Sequence, residues 1–388
     1  MSNKRCRINF VHTTTLLMLR GVERWILEVS GYLSKVASIS ITTFSANYKH
    51  ISDLENRVNL VKNHVRKHNI QWLEIPCICE ENIRAPASVK RFLKYHAIRI
   101  PLTLKILWMA KGSITYVAVG DAISALFYTT LYTVMGTRRI IIGLHSRPNY
   151  REFLMVKPIL SLFKILGILK GIHAVNIEDA IVLRKLLKNI PIIFIPNSVD
   201  CAKFHPQFQK PRDKFRVLFV GALTYDKGVD VVIEVAKRLR AITNDVEVAI
   251  ASVGGPLENL VVSASKQGIV KYLGFVPDEE LRKLYAESHV VLLPSRDEAF
   301  NLVQLEAQAS GTPIVAPDIA AFRVVIQNNV TGILVKGYDA EEFAKAILKV
   351  YNMWKFNEAE YQKLAISARL NAKKFCWKRV VNLFNKIL

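Results

Sequence analysis

Residues Arg216–Leu239 read RVLFVGALTYDKGVDVVIEVAKRL. A short apolar run rich in β-branched and aromatic residues ends in a glycine-containing turn. It passes directly into apolar residues recurring every three or four positions. The first pattern is that of a buried strand, the second that of an amphipathic helix. Working outward, the alternation repeats downstream: VEVAIAS, VKYLGFV, VVLLPS and PIVAPD read as strands, with VVSASKQ, EELRKLYAES and LVQLEAQAS as helices between them. It repeats upstream as well, with strands RINFVHT, SISITTF, ITYVAVG, RRIIIGLH, GIHAVNI and PIIFIPN. Helical VERWILEVSGYLSK, ISALFYTTLYTVMG and EDAIVLRKLLKN separate them. Strand–helix alternation of this kind predicts parallel sheets covered by helices on both faces.

The polar, proline-containing stretch Pro206–Lys214 (PQFQKPRDK) separates two such runs and reads as a linker. The expected fold class is therefore α/β, with two Rossmann-like doubly wound domains facing each other across a cleft. The boundaries expected are 1–205, 206–365 and a C-terminal helix, 366–388, packing back on the first domain. One large doubly wound sheet is the competing arrangement. Ligands of such sheets sit beyond the carboxyl ends of the strands, so two facing domains suit the transfer of a group between two substrates.

The 388 residues are 51% hydrophobic and 22% charged, which excludes intrinsic disorder. Five cysteines, few and odd in number, argue against a disulfide scaffold and for a reducing compartment. Cys77 and Cys79, with one residue between them, do not have zinc-site spacing. No stretch has about 20 uninterrupted apolar residues, as a membrane span requires; the most apolar, Phe153–Leu169, is broken by Lys157, Pro158 and Lys164. The N-terminus has no signal-peptide pattern, and the location expected is cytoplasmic. Of the net charge of +22, residues 1–205 carry +17. An excess of this size in one half points to an anionic partner surface.

The run PSRDEAFNLVQLEAQASGTPIVAPD, Pro294–Asp318, carries the chemistry. A strand ends at Pro294, and a helix opens near Phe300–Asn301. The unpaired amides at a helix start form an anion site. Glu298 precedes that start and Glu306 follows two turns into the helix. On spacing alone, Glu298 as an ordinary helix cap and Glu306 as a solvated charge is the commoner reading.

Taken with its flanks, this run resembles the Glu-x(7)-Glu signature of the GT-B retaining glycosyltransferases of family 4. FIPNSVDCAKFHP (194–206), VLFVGALTYDKGVDVVIEVAKRL (217–239), SGTPIVAPDIAAF (310–322) and NNVTGILV (328–335) resemble further landmarks of that family. RGVERWILEVSGYLSK (20–35) resembles its glycine-rich loop and first helix. The resemblance implies a hexosyltransferase moving sugar from a nucleotide-diphosphate donor, UDP- or GDP-linked, to a hydroxyl acceptor with retention. It implies that Glu298 contacts donor-sugar hydroxyls, Glu306 the ribose hydroxyls, and that the amides of Phe300, Asn301, Leu302 and Val303 hold the diphosphate. Lys227 would neutralise the leaving phosphate, Gly21 would allow close approach of the N-terminal loop, and His145 would face the donor sugar. Gly254–Gly255 resembles a family loop near the nucleotide base.

Where the family often has an arginine, this chain has Ala222; Arg296 and Arg20 are candidate replacements for the lost charge. The sequence has no Asp-x-Asp metal clamp, so no metal and no cofactor beyond the nucleotide-sugar co-substrate is expected. The partners expected are this donor, a glycan or lipid-linked acceptor, and an anionic membrane on the cytoplasmic face. The membrane would meet the basic amphipathic stretches Lys90–Gly112 and Arg151–Gly171; nucleic acid is not expected. A non-catalytic GT-B-fold binder of anionic membranes or polymers, and a nucleotide-sugar epimerase, are the competing functions.

Overall fold

The computed structural model describes residues 6–12, 16–18, 21–44, 54–75, 113–134, 136–206 and 209–385. Arg20, Cys77, Cys79 and the basic stretch Lys90–Gly112 lie outside the described residues. The chain forms two units, Met1–Pro196 with Val380–Leu388, and Asn197–Arg379.

The first unit contains β1 (Arg7–His12), α1 (Gly21–Leu33), β2 (Ser38–Phe44), α2 (Leu54–Lys67), β3 (Gln71–Ile75), β4 (Ile114–Val119) and α3 (Ala122–Val134). It continues through β5 (Ile140–Leu144), α4 (Tyr150–Ile165), β6 (Leu169–Ala174), α5 (Ile177–Leu186) and β7 (Ile192–Phe194). The strands form one parallel sheet in the order β3-β2-β1-β4-β5-β6-β7. The order reverses between β1 and β4, the point where doubly wound sheets bind ligands. Strands β4 and β5 are buried at every position, because helices cover both faces.

The second unit contains β8 (Phe215–Val220), α6 (Val229–Ile242), β9 (Val246–Ala251), α7 (Glu258–Lys266), β10 (Lys271–Gly274), α8 (Asp278–Glu287) and β11 (Val290–Leu292). Then follow α9 (Leu302–Ala309), β12 (Ile314–Pro317), α10 (Ala320–Arg323), β13 (Gly332–Val335), α11 (Ala340–Phe356) and α12 (Glu358–Ala372). A last helix, α13 (Trp377–Asn385), runs across the boundary between units. The sheet order is β10-β9-β8-β11-β12-β13, again all parallel. Here the reversal lies between β8 and β11. The loops that follow those two strands carry Lys227 and Glu298, so topology alone sets them on neighbouring strand ends.

Two readings of the sequence change. The polar stretch Pro206–Lys214 lies inside the second unit. Its Lys210 donates to the carbonyls of Ala286 and Ser288 and, at 3.0 Å, to Thr312 Oγ1, and burial lowers its pKa to about 7. A lysine whose three N–H groups are all taken by buried acceptors anchors a segment, which a free linker would not. Second, Cys201 and Cys376 are disulfide-bonded, with Cα atoms 5.7 Å apart. The cysteine count argued against a disulfide scaffold and for a reducing compartment; this one bridge departs from that expectation, because its two cysteines stand 175 residues apart in sequence and only the fold brings them together.

Candidate active site

Lys227 and Glu298 meet. Lys227 Nζ lies 2.8 Å from Glu298 Oε1, and Asn301 Nδ2 donates to the same oxygen at 2.8 Å. The Glu298 side chain is 8% exposed and that of Lys227 29%. Both recorded bonds end on Oε1, which leaves Oε2 with no partner among the described residues.

Two features fix this geometry. Gly228 closes the YDKG turn with φ +72°, and a Cβ there would overlap the carbonyl oxygen of Pro294. The two loops therefore approach as closely as a glycine allows. Arg296 then bolts them together. Its guanidinium binds Asp230 through two bonds of 2.8 and 2.7 Å, donates to Tyr225 O at 2.6 Å and stacks 3.8 Å from the Tyr225 ring centroid. The Asp230 hydrogen bonds raise its pKa further. Arg296, read from sequence as a stand-in phosphate cation, is committed to Asp230 instead.

Asn301 is the N-cap residue of α9, yet its side chain makes no cap hydrogen bond. Asparagine is among the best capping residues, normally accepting from the second or third helical amide. Here the side chain turns to Glu298, and among the described residues no side chain caps the amides that open α9. Asn301 Oδ1 is buried without a hydrogen-bond partner among the described residues. Phe300 and Asn301 are buried, Leu302 and Val303 partly so. An uncapped helix start carrying the positive end of the dipole, with an ammonium nearby in the same loop cluster, can hold a doubly charged anion.

Glu306 sits deeper. It is 5% exposed, and its Oε2 accepts from the buried hydroxyl of Tyr285 at 2.8 Å. The structure thus joins Lys227, Glu298 and Asn301 in one hydrogen-bonded group and ties Glu306 to Tyr285 on α8. Gly254 and Gly255 (φ +91° and +156°) close the loop after β9; a Cβ on Gly255 would stand 2.6 Å from Leu223 O. That glycine pair packs the β9 loop against the β8 loop.

Gly21 and His145 belong to the first unit. Gly21 is exposed and opens α1. His145 follows β5 directly, its ring 4.2 Å from that of Trp25. Its Nε2 lies 3.0 Å from the Tyr116 hydroxyl, which lies 2.6 Å from His173 Nδ1; His173 Nε2 lies 2.8 Å from Ile195 O. Burial lowers the His145 pKa well below the usual imidazole value, helped by His173 and His12. His173 falls to about 4 through burial, partly offset by its bond to Ile195 O. Tyr116, His173 and the new role of Asn301 are absent from the sequence reading. The available signal was weak: one tyrosine and one histidine inside otherwise apolar strand runs.

Residues 200–369 match the family described as glycosyl transferases group 1. A D-inositol 3-phosphate glycosyltransferase from Arthrobacter sp. (strain FB24) is 31% identical over 199 residues, 47% of this chain and 46% of that protein. An uncharacterized glycosyltransferase, MJ1607, from Methanocaldococcus jannaschii is 35% identical over 149 residues, 38% of each chain. The chain thus spans less than half the length of these relatives. Sucrose-phosphate synthase from Thermosynechococcus elongatus superposes with a TM-score of 0.72 at 18% identity, covering 99% of this chain and 98% of that one. Anabaena HepE in complex with UDP and glucose gives 0.73 at 15% identity, covering 98% of both. The chain has the fold of these GT-B structures, two parallel-sheet α/β domains, and from Asp200 to Arg369 it matches glycosyl transferases group 1.

Proposed function

We propose that this chain is a retaining hexosyltransferase of the family 4 type that carries a sugar from a UDP- or GDP-linked donor to a hydroxyl of a glycan or lipid-linked acceptor. The observation that carries this reading is the α9 helix start. Its best capping side chain is diverted to Glu298, and its amides and Lys227 are left for an anion. Lys227 gives one N–H to Glu298 and keeps two for phosphate oxygens. The amides of Phe300, Asn301, Leu302 and Val303 take the rest of the diphosphate charge. Glu298 Oε2 accepts from donor-sugar hydroxyls, and Glu306, oriented by Tyr285, from ribose hydroxyls. Gly21 gives the N-terminal loop its close approach, and His145 faces the sugar.

As the bond from the anomeric carbon to phosphate oxygen breaks, negative charge grows on the diphosphate, where Lys227 and the amides stabilise it. The acceptor oxygen forms its bond on the same face, and its proton passes to the departing phosphate, so no protein nucleophile is needed. The lack of an Asp-x-Asp clamp in the sequence supports turnover without metal; activity surviving EDTA is the check. A thermal-shift panel of UDP-, GDP- and ADP-sugars tests the donor, since a ligand that binds only the folded state raises its melting temperature. No shift with any of them refutes the reading. Product anomer, read by NMR, tests retention.

A second reading, attachment to an anionic membrane, is favoured by α4. Its inner face, Phe153, Val156, Leu160 and Phe163, is buried. Its outer face is apolar too: Met155 is 79% exposed and Ile165 80%, in a stripe with Leu154, Ile159, Leu162 and Leu166. Lys157 and Lys164 flank the stripe, and Arg151 and Lys170 are exposed at its ends. Apolar side chains between basic flanks match a helix lying in a lipid interface. No described helix is long and apolar enough to cross a membrane. Cosedimentation with phosphatidylglycerol vesicles, lost in Met155→Asp/Ile165→Asp and absent with phosphatidylcholine, is the expected result; equal binding by the variant refutes it.

A further inference from the structure

We infer that Tyr116 and His173 are positioning residues that lock His145 in the tautomer protonated on Nε2, so that Nδ1 presents a lone pair that reads a substrate hydroxyl. The direction of each hydrogen bond follows from chemistry, starting at the buried end. The carbonyl of Ile195 can only accept, so His173 Nε2, 2.8 Å away, carries a proton. His173 is fully buried and stays neutral at physiological pH, so its Nδ1 is a bare acceptor. The Tyr116 hydroxyl, 2.6 Å from that atom, therefore donates its single hydrogen there. Toward His145 the same oxygen can only accept, and His145 Nε2, at 3.0 Å, must be the donor. A neutral imidazole has one N–H, so His145 Nδ1 has none.

The strands are built for this relay. Gly143 on β5 is the register partner of His173 on β6. A Cβ on Gly143 would overlap the Tyr116 hydroxyl. The missing side chain lets Tyr116, on β4, reach across β5 to His173 on β6. Trp25 and Phe10 hold the Tyr116 ring, each with centroids 5.5 Å away.

The consequence is a rule of recognition: at His145 the protein accepts a hydrogen from a hydroxyl, and a group offering only lone pairs finds no donor. This deepens the transferase reading and rests on it for the substrate, but its first test needs no sugar. Long-range 15N–1H NMR of the full chain at pH 7 reports which ring nitrogen of His145 is protonated. The expected result is a single Nε2–H tautomer, and an Nδ1–H signal overturns the inference. Tyr116→Phe keeps the ring and removes the relay, and Gly143→Ala displaces the hydroxyl. In either variant that retains the wild-type circular dichroism, His145 is expected to become a mixture of tautomers; an unchanged spectrum overturns the lock. In a transfer assay Tyr116→Phe should lower kcat/KM about tenfold, the loss of one hydrogen bond, with unchanged nucleotide affinity. If no transfer is found with any donor while the NMR result holds, the transferase reading fails and the relay stands.

Discussion

Replacing Lys227 with Met removes the ammonium and leaves most of the aliphatic stem. Two consequences follow, and they separate. The first concerns stability. Two unit charges about 3 Å apart attract by roughly 5–6 kcal/mol at an effective dielectric of about 20. Most of that is offset by the cost of desolvating Glu298, whose side chain is only 8% exposed. What remains should be of the size of a hydrogen bond to a charged group, about 1.5–3 kcal/mol. Glu298 keeps Asn301 as its other donor to Oε1, which places the expected loss toward the lower end. The second concerns chemistry. Losing one charge-stabilising donor at a transition state costs about 2–4 kcal/mol, or roughly 30- to 1,000-fold in turnover.

Urea unfolding of the wild type, Lys227→Met, Glu298→Gln and the double variant gives the first quantity as a coupling energy. The double variant should be more stable than the sum of the singles predicts, because the neutral amide introduced by Glu298→Gln no longer needs a cation. Transfer assays on the same four proteins give the second, and here the double variant should be no better than either single. Strict additivity in unfolding, together with near-normal turnover in Lys227→Met, would falsify the assignment of Lys227 to both roles.

Three further outcomes are expected. Gly228→Ala should cost clearly more stability than Gly337→Ala, because both have φ above +70° but only a Cβ on Gly228 strikes backbone, at Pro294; Gly337→Ala should cost about 1 kcal/mol, and equal urea midpoints would contradict the close loop approach. His173 is neutral in the folded protein with a pKa of about 4 against 6.5 unfolded; its contribution is therefore complete above pH 6.5 and is lost progressively as pH falls from 6.5 to 4. The loss amounts to about 3 kcal/mol, and His173→Gln should show a correspondingly shallower decline of urea midpoint over that range. Reduction of the Cys201–Cys376 bridge, or Cys201→Ser, should lower the melting temperature. The chain-entropy estimate for a 175-residue loop is an upper figure of about 5 kcal/mol, and a melting temperature indifferent to dithiothreitol would show that the bridge does not constrain the protein.

The alternating architecture was legible because period-two and period-3.6 apolar patterns are local. Thus RVLFVGAL and VDVVIEVAKRLRA announce β8 and α6 from their own residues. The helix start before Leu302 was legible for the same reason. Partnership was not. Nothing near Glu298 in sequence indicates that Lys227 lies 2.8 Å away; that follows from the reversal of strand order between β8 and β11. Asn301 was read only for its backbone amide, and its side-chain bond to Glu298 requires the cap geometry. Arg296 lay close to the site in sequence, and its engagement by Asp230 depends on a helix 66 residues upstream. The His145–Tyr116–His173 chain draws on three strands, and its key residue is a glycine whose part is to leave room. On α4, periodicity marked an amphipathic basic stretch, but only packing reveals that both faces are apolar.

The bridge between Cys201 and Cys376 lies a few residues inside the limits of the second unit, Asn197 and Arg379, beside a strand-like pairing of Val199 with Cys376. The first and last segments of that unit therefore lie side by side and parallel at about the spacing between neighbouring strands. Tension applied to the chain on either side passes from one sulfur to the other, so the loop that the two cysteines close is shielded from it.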